Sequence, residues 1–214
     1  MKNIVIIGAG DLGKEVVWLI EDINKREPTF VILGFLDDDK DKLGGEFYGY
    51  KVLGSVSDLE AISSQRQCSA VIAIQNGSVR KKIVEEHQSF NSWESIIHPT
   101  AVIASTSPVG NGSIVFPHVT VSVDTKLGDF NLYYIHSTIC NDCKIGSFVS
   151  IMSGASVSER AEVGDECFLA AGSCVYPHKR LGSRVEVGVE ATASRDYADG
   201  AEVNEKSSGF SLFK

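Results

Sequence analysis

Ile139-Cys140-Asn141-Asp142-Cys143-Lys144-Ile145-Gly146 contains one unit of the repeat around which this chain is organised. From position 97 to position 193 an apolar residue returns at every sixth position, and the register never slips. These positions are Ile97, Ile103, Val109, Val115, Val121, Leu127, Tyr133, Ile139, Ile145, Ile151, Val157, Val163, Leu169, Val175, Leu181, Val187 and Ala193.

A second column of smaller residues stands two places before the first one. It comprises Ala101, Ser107, Ser113, Val119, Thr125, Ser137, Cys143, Val149, Ala155, Ala161, Cys167 and Ser173, with breaks at Asn131 and Lys179. Glycine follows the aliphatic residue at every eighteenth position, namely at Gly110, Gly128, Gly146, Gly164 and Gly182. A period of six nested in a period of eighteen predicts a solenoid with three short faces in each coil.

The physical reason is that such a repeat cannot bury its apolar face alone. One large and one small inward residue per unit would fill a narrow triangular interior, and glycine would take the corner that needs a positive φ. Stacked coils would pair their backbones about 4.8 Å apart. The alternative is a β-sandwich with fortuitous spacing, which requires strands of varying length that would break the register. The pattern resembles the left-handed parallel β-helix of the hexapeptide acyltransferases, and only the resemblance implies the handedness.

Length and composition narrow the class of protein. The 214 residues suit one large domain or two small ones. The net charge is −8 and the basic residues are scattered, which argues against nucleic acid as a partner. The chain contains no run of eighteen apolar residues, so we expect no membrane span, and its first residues do not read as a signal peptide. Five cysteines fit reduced thiols in a cytoplasmic protein.

Strands and helices alternate before the repeat, which predicts a small parallel α/β, Rossmann-like domain over residues 1–97. Its first helix carries an apolar stripe of Val16, Val17, Leu19, Ile20 and Ile23. We expect strands over residues 2–7, 29–36, 50–53, 70–74 and 93–97, a helix over 56–62, and another helix with Ser78 as its N-cap. The solenoid is expected over 98–196, with the periodicity ending after Ser194, and a C-terminal tail over 197–214. From Lys206 to Lys214 this tail is expected to be loose or docked on a partner.

Gly8-Ala9-Gly10-Asp11-Leu12-Gly13 follows the first strand and opens the first helix. Glycines there let the backbone approach a phosphate, and Asp37 and Asp38 end the second strand, where a ribose or base would be read. A dehydrogenase is the alternative, but fewer than a hundred residues precede the solenoid, so a bound nucleotide sugar fits better. The glycines could also serve only a tight turn, with the aspartates solvated.

Positions eighteen apart stack on neighbouring coils, so columns of polar residues can be read directly. His118, His136, Gly154 and Gly172 form one column, which predicts two imidazoles about one strand spacing apart. Asp124, Asp142, Arg160 and His178 form another, in which unlike charges can pair. His136 and Asn141 are expected to flank one corner of the prism. Taken singly, each histidine could be an ordinary surface residue.

The pair Cys140 and Cys143 forms a C-x-x-C, a spacing that elsewhere means zinc or redox chemistry. Here Cys143 falls on the inward small position, and no second C-x-x-C accompanies it. We therefore expect core packing and no metal site, since free cysteine behaves as a small buried hydrophobe.

A family resemblance covers essentially the whole chain. The chain resembles the sugar acetyltransferases of the sialic acid O-acetyltransferase and bacillosamine or perosamine N-acetyltransferase group. The resemblance rests on Gly8-Ala9-Gly10, Gly13-Lys14-Glu15-Val16, Gly34-Phe35-Leu36-Asp37-Asp38-Asp39, His98-Pro99-Thr100-Ala101, Asn131, the run 139–146 and Arg195-Asp196. It implies a homotrimer, an acetyl-CoA co-substrate bound between neighbouring subunits and a nucleotide-sugar acceptor.

The resemblance also implies site residues. The family histidine that takes the acceptor's proton during direct transfer corresponds to Asn141, beside Asp142, and His136 is the candidate for a displaced base. An amide accepts no proton near neutral pH. The implied residues for the sugar nucleotide are Gly8, Gly10, Gly13, Asp37, Asp38 and Asn76, and those for acetyl-CoA are Glu159, Ala171, Gly172 and Val189.

The sequence departs from the family pattern at three places: Asn141, the pair Glu159-Arg160 where small glycines are expected, and the C-terminal Asn204-Glu205-Lys206-Ser207. Three hypotheses follow. The chain is an acetyl-CoA-dependent sugar acetyltransferase; or it is a catalytically impaired relative that binds a nucleotide sugar or partner proteins; or Asn141 is an engineered replacement of a catalytic histidine. Glu159 and the altered C-terminal run argue against the third.

Overall fold

The computed structural model describes residues 1–204, so the part of the predicted tail from residue 205 onward lies outside the described residues. The N-terminal elements are β1 (Lys2–Ile7), α1 (Asp11–Arg26), β2 (Phe30–Leu36), β3 (Glu46–Phe47), β4 (Tyr50–Gly54), a 3-10 turn (Val56–Asp58), α2 (Leu59–Arg66), β5 (Cys68–Ile72) and α3 (Gly77–Glu86). They form a sheet of order β3-β4-β2-β1-β5, which is parallel except at β3. The predicted α/β domain is present, and the apolar stripe of α1 is fully buried.

Several element boundaries differ from the sequence-based expectation. The strand expected over 70–74 is Cys68–Ile72. The helix expected over 56–62 is a 3-10 turn continued by α2. The last strand shrinks to Ile96–Ile97, and Trp93 forms only an isolated bridge with Ala70. Short apolar runs carry no marker of their ends, so the two strand shifts reflect pairing of β5 with β1 and of β6 with β8.

The solenoid is a prism of parallel two-residue strands with three faces. The first face contains β6 (Ile96–Ile97), β8 (Ile114–Val115), β11 (Leu132–Tyr133), β14 (Ser150–Ile151), β17 (Phe168–Leu169), β20 (Glu186–Val187) and β22 (Glu202–Val203). The second contains β7 (Val102–Ile103), β9 (Thr120–Val121), β12 (Thr138–Ile139), β15 (Ser156–Val157), β18 (Cys174–Val175) and β21 (Thr192–Ala193). The third contains β10 (Lys126–Leu127), β13 (Lys144–Ile145), β16 (Glu162–Val163) and β19 (Arg180–Leu181).

The two predicted columns fill the interior of this prism. From Val115 to Ala193 the large residues point inward, and nearly all of them are buried. Asn131, which breaks the small column, is also buried. Its amide nitrogen donates to the carbonyl oxygens of Gly128 and Gly146, and its side-chain oxygen accepts from the amide of Val149. A polar residue is tolerated at this position because every polar atom of its side chain finds a partner.

The glycine column has a different cause from the one predicted. The residues with positive φ stand three places before each aliphatic residue, as His136 does at +59° and Gly154 at +67°. The glycines that follow the aliphatic residues lie outside that region. A Cβ on Gly128 would come within 2.6 Å of the carbonyl of Gly146, so these glycines are needed because the next coil passes too close.

The solenoid continues beyond the predicted end of the periodicity at Ser194. A further strand, β22, pairs with β20 in a register that matches Glu186 with Glu202. That step is sixteen residues where earlier coils use eighteen, and the same step joins Ser183 to the carboxylate of Asp199. Because the final coil is two residues shorter, its residues fall out of the eighteen-residue period, and the sequence pattern does not predict this strand.

The N-terminal domain packs on the first face of the prism. Apolar residues of α1 and β1 share one core cluster with Phe116 and Leu132 of the first coils. The division of the chain at residue 97 therefore remains a prediction, because the two parts share their core. Among the helices of residues 1–204, none has the length and apolar character needed to cross a membrane.

Candidate functional site

The glycine loop lies at the edge where the parallel strands β1, β2 and β5 end. Gly8 has φ +104°, and a Cβ there would lie 2.8 Å from the carbonyl oxygen of Ala73. A Cβ on Gly13 would lie 2.3 Å from the carbonyl oxygen of Gly8. Gly10 is different, because the space around its Cβ direction is open. The outer two glycines are thus required by packing, and the middle one leaves room above the start of α1.

The two aspartates after β2 hold backbone amides. Asp37, whose side chain is largely buried, accepts from the amide of Ala9 at 2.7 Å and from that of Asp39 at 2.9 Å. Asp38 accepts from the amide of Val56 at 2.9 Å. Both carboxylates therefore brace loops in the free protein, and the Asp37–Ala9 bond fixes the glycine loop to the end of β2.

Asn76, predicted to contact the substrate, is the N-cap of α3. Its side-chain oxygen accepts from the amide of Val79 at 3.1 Å. The predicted cap Ser78 is therefore wrong by two residues. Its hydroxyl instead donates to Glu166 on the solenoid, at 2.8 Å, since a residue inside the first turn points away from the free amides.

The first corner of the prism, between the first and second faces, carries the predicted histidine column. The rings of His118 and His136 stack 4.9 Å apart with an angle of 12° between their planes, which confirms the expected spacing. Both side chains are exposed. Below them Gly154 and Gly172 continue the column without side chains, so the corner is open along its lower half. Ala171 and Val189 lie on the same corner and are exposed.

The second corner, between the second and third faces, carries Asn141, Asp142, Glu159 and Arg160. The amide nitrogen of Asn141 donates to the carboxylate of Asp142 at 2.7 Å. The guanidinium of Arg160 lies 3.5 Å from the same carboxylate, so unlike charges of this column pair as predicted. In this arrangement Asn141 is a hydrogen-bond donor, and it has no side-chain atom that could accept a proton from an acceptor.

His136 and Asn141 do not flank one corner, contrary to the expectation. They lie in the two turns on either side of β12, so the width of the second face separates them. The five-residue spacing between them includes the two-residue strand β12, so the two residues fall in successive turns and not in the same one. Within one chain the predicted catalytic residues therefore form two groups: His136 on the first corner, and Asn141 with Asp142 on the second.

The C-x-x-C pair packs in and against the core, as predicted, with Cys140 partly buried. Cys143 is fully buried, and burial raises the pKa of its thiol to about 11. Burial also raises the pKa of Cys140. Thiols with raised pKa values are poor nucleophiles and poor metal ligands. Over residues 1–204 no group of three or more His, Cys, Asp or Glu side chains is placed to hold a metal ion.

The structure shows contacts between the N-terminal domain and the first corner that the sequence did not predict. The hydroxyl of Tyr134, directly before the corner residues Ile135 and His136, donates to the carboxylate of Glu15 near the start of α1. Burial, and secondarily the nearby Asp11, raise the pKa of Glu15. The only signal in the sequence was that Glu15 stands next to the glycine loop; its partner lies 119 residues away.

A second contact joins the same helix to the first coil. His98 is buried, with its Nε2 2.9 Å from the carboxylate of Asp22 and its Nδ1 2.7 Å from the hydroxyl of Thr100. The hydrogen bond from His98 lowers the pKa of Asp22. The Thr100 hydroxyl also accepts from the backbone amide of His118. Hydrogen bonds therefore connect α1, which follows the glycine loop, to both coils that carry the stacked histidines.

Comparisons with known proteins agree with this architecture. A family model described as the PglD N-terminal domain matches residues 3–87. The curated UDP-N-acetylbacillosamine N-acetyltransferase of Bacillus subtilis (strain 168) is 29% identical over 115 residues, which are 53% of this chain and 51% of that protein. The match thus spans about half the length of that curated relative.

Solved structures extend the likeness to nearly the whole chain. The acetyltransferase domain of PglB from Neisseria gonorrhoeae FA1090, in complex with acetyl coenzyme A, is 29% identical with a TM-score of 0.84, over 94% of this chain and 95% of that one. GDP-perosamine N-acetyltransferase from Caulobacter crescentus, in complexes with CoA and GDP-perosamine, has a TM-score of 0.85 over 94% and 93% of the two chains. At 23% identity that second match shows the fold alone.

These matches bear out the predicted architecture, a Rossmann-like domain followed by a left-handed parallel β-helix. The chain is therefore similar over nearly its whole length to the acetyltransferase domain of PglB, and its first part, residues 3–87, matches the PglD N-terminal domain.

Proposed function

We propose that the chain is an acetyl-CoA-dependent acetyltransferase that acts on an amino or hydroxyl group of a nucleotide-linked sugar. The proposal includes direct transfer, with both substrates bound at once. It is supported by the similarity to a bacillosamine N-acetyltransferase and by the acetyl coenzyme A complex of the PglB domain, which is similar to this chain over nearly its whole length. It is also supported by the glycine loop, whose open middle glycine lies at the edge of a parallel sheet.

The observation that carries the proposal is the contact between Glu15 and Tyr134. It brings the start of α1 against the strand that leads directly to His136. A sugar attached to a phosphate above the glycine loop would therefore extend toward the first corner. This favours Gly8, Gly10 and Gly13 as the phosphate-binding loop, with Asp37, Asp38 and Asn76 shaping the loops around it.

Acetyl-CoA would supply an activated thioester carbonyl, and the first corner fits its extended chain. Gly154 and Gly172 carry no side chains there, and a Cβ on Gly154 would meet no atom within 4 Å. We expect Ala171, Gly172 and Val189 to line that chain, with Glu159 approaching from the second corner of a neighbouring copy.

A homotrimer accounts for the separation of the predicted catalytic residues. Asn141 and Asp142 lie across the second face from His136, so a site that uses all three needs a second copy. The outward residues of the second face are small or β-branched, which suits close packing of another solenoid. They are Val102, Thr120, Thr138, Ser156, Cys174 and Thr192.

Proton removal from the acceptor requires a base, and His136 is the candidate. Its exposed imidazole can accept a proton, whereas Asn141 can only orient the acceptor through its amide. Asp142 would hold that amide in place. In this scheme Asn141 and Asp142 position the acceptor, and His136 takes the proton as the acceptor attacks the thioester.

One observation favours a second candidate function. The side-chain amide of Asn141 already donates to Asp142, and Asp142 also forms an ion pair with Arg160. The polar side chains Asn141, Asp142 and Arg160 of the second corner therefore have partners without a substrate. A chain with this corner could be a catalytically impaired family member that binds a nucleotide sugar or partner proteins. The two functions predict the same fold and differ in turnover.

The experiment is release of free thiol from acetyl-CoA with a panel of UDP- and GDP-linked amino sugars and sialic acid. The chain is compared with Asn141→His and with Lys82→Gln, an exposed change on α3. Turnover by the unchanged chain supports the enzyme and directs attention to His136. Turnover only by Asn141→His indicates an intact site that lacks one base, and no turnover by either folded protein contradicts the acetyltransferase proposal.

A further inference from the structure

We infer that Glu15 and Tyr134 are positioning residues that couple occupancy of the glycine loop to the geometry of His136. The inference rests on the proposed function, because it assumes that a nucleotide binds the loop and that chemistry occurs at the first corner. Neither residue belongs to the set of expected substrate-binding or catalytic positions. Their contact joins the helix that follows the glycine loop to the turn that carries His136.

The glycine loop and Glu15 form one mechanical unit. Glu15 lies at the start of the second turn of α1, two residues after the loop. Gly13 packs against Gly8 so closely that no side chain would fit between them, and the amide of Lys14 donates to the carbonyl of Gly10 at 3.1 Å. A phosphate that displaces the loop will therefore displace the carboxylate of Glu15.

Tyr134 passes such a displacement to the corner. Its ring packs against Phe116 with centroids 4.4 Å apart, and its backbone amide donates to the carbonyl of Ile151 at 2.8 Å. Its carbonyl accepts from the amide of Ser137 at 3.0 Å, a bond that closes the turn containing His136. If the Tyr134 hydroxyl moves, the backbone of that turn must move with it, because both ends of the turn are hydrogen-bonded.

The far end of α1 is fixed to the other histidine of the stack. Asp22, His98 and Thr100 form a chain of hydrogen bonds that ends at the backbone amide of His118. His118 stacks on His136. The helix is thus bonded near both ends to the two coils that present the stacked rings. With one end fixed, motion at the start of α1 changes the position of His136 relative to His118.

The environment of Glu15 suits this role. Among residues 1–204 it forms no salt bridge, and its hydrogen bond goes to Tyr134. Burial has removed part of its hydration, and a hydrogen bond to a carboxylate gains strength when water is excluded. A surface carboxylate paired with a lysine would exchange partners freely, whereas this carboxylate has one well-defined partner.

Tyr134→Phe tests the coupling, because it removes the hydroxyl and keeps the ring packing. The matched control is Tyr50→Phe, since the hydroxyl of Tyr50 also donates to a carboxylate of α1, that of Glu21 at 3.3 Å, without leading to a corner. The first readout is the imidazole NMR signal of His136 in the free protein, assigned with His136→Gln. We expect Tyr134→Phe to shift this signal and to raise amide exchange at Glu15, and we expect Tyr50→Phe to do neither. Unchanged signals in folded Tyr134→Phe overturn the inference.

The second readout uses UDP and GDP as probes. In the unchanged protein either nucleotide should shift the His136 signal, and in Tyr134→Phe it should bind with similar affinity by calorimetry without that shift. An equal nucleotide-induced shift in Tyr134→Phe contradicts the coupling. If neither nucleotide gives heat with the unchanged protein, the proposed nucleotide site fails, and the first readout still decides the contact.

Kinetics separate positioning from stability. With an active acceptor, Tyr134→Phe should lower kcat about tenfold while KM changes less than twofold, because the ground-state contacts remain. Glu15→Gln keeps a hydrogen-bond acceptor for Tyr134 and should keep most of the rate of the unchanged chain, whereas Glu15→Ala should not. This pair of variants also tests the contact if Tyr134→Phe fails to fold. Equal losses in Glu15→Gln and Glu15→Ala would mean that the carboxylate acts otherwise than through Tyr134.

Discussion

The guanidinium of Arg80 donates to the carbonyl oxygen of Phe148 at 2.8 Å, and this bond joins α3 to the third coil of the solenoid. Arg80 is 2% exposed and also donates to the carbonyls of Ile74, Gln75, Phe130 and Val149 and to the hydroxyl of Ser150. Among the described residues no carboxylate pairs with it. Burial lowers the pKa of this guanidinium to about 10, so it remains charged at neutral pH. Neutral oxygens alone compensate a buried charge at the junction of the two parts.

Removing this group should loosen that junction. Arg80→Met leaves the carbonyls of Phe148 and Phe130 without their donor, and we expect a loss of about 2–4 kcal/mol in the free energy of unfolding. Chemical denaturation measures it. The control Lys82→Met, on the exposed side of α3, should change stability by less than about 0.5 kcal/mol. A similar small effect for Arg80→Met would mean that water replaces the guanidinium without cost.

Alanine should destabilise the protein more at a glycine with an ordinary φ than at one with a positive φ, because the cost depends on how close the next coil lies. Gly128→Ala places a Cβ 2.6 Å from the backbone of the next coil and should cost about 3 kcal/mol. Gly154→Ala places a Cβ in open space at φ +67°, which should cost about 1 kcal/mol. Thermal unfolding of the two variants measures the difference. Equal losses would show that the solenoid separates its coils easily.

The fold could be predicted because one period governs more than half of the chain. Each sixfold position repeats the same environment, so the aliphatic and small columns identify the interior without knowledge of any contact. Two kinds of feature lay beyond that reasoning. Asn131 breaks the pattern, yet it is buried because neighbouring coils supply its hydrogen-bond partners. The last coil is sixteen residues long, and that change hid β22.

The candidate site was less predictable, for the same physical reason. Stacking within a column is set by the period, so the His118–His136 spacing was predicted correctly. The relation between columns depends on where the chain turns, so His136 and Asn141 were assigned to one corner and lie on two. The contact of Glu15 with Tyr134 depends on how one domain packs on the other, and no local pattern encodes that.

The pair of Lys81 and Glu166 makes the stability of the junction depend on pH. The hydrogen bond from Lys81, at 2.8 Å, lowers the pKa of Glu166 below its ordinary value of 4.5. A carboxyl whose pKa is lower in the folded state stabilises the fold above its unfolded pKa and stops doing so as the pH falls through the folded one. Glu166→Gln should therefore unfold at a lower temperature than the unchanged chain at pH 7, and the two should unfold at similar temperatures once the pH lies well below the folded pKa of Glu166. Glu86→Gln, at an exposed pair, should show no such crossover, and a difference for Glu166→Gln that persists in acid would contradict this origin.

Asp37 should affect nucleotide binding through the loop that it braces. Asp37→Ala removes the acceptor of the Ala9 amide, so the glycine loop should become mobile and UDP or GDP should bind about tenfold more weakly. Calorimetry gives the affinity, and amide exchange at Ala9 reports the loop. Asp38→Ala, which frees the amide of Val56 at a more distant turn, is the matched change and should weaken binding less. Equal affinities for Asp37→Ala and the unchanged chain would remove this loop from nucleotide recognition.

His136 should carry the proton transfer if the chain is an enzyme. His136 lies in a turn with φ +59°, a conformation that alanine adopts less readily than asparagine. His136→Asn is therefore a better variant than His136→Ala, because it keeps the turn and removes the base. We expect thiol release to fall about 10²–10⁴-fold, the range for loss of a general base, with the thermal midpoint nearly unchanged. His178→Asn is the control, since this exposed histidine has the same φ region on the second corner and should retain the rate. If His136→Asn turns over as fast as the control, the proton leaves by another route. The base would then have to come from the acceptor, from solvent or from a second copy of the chain.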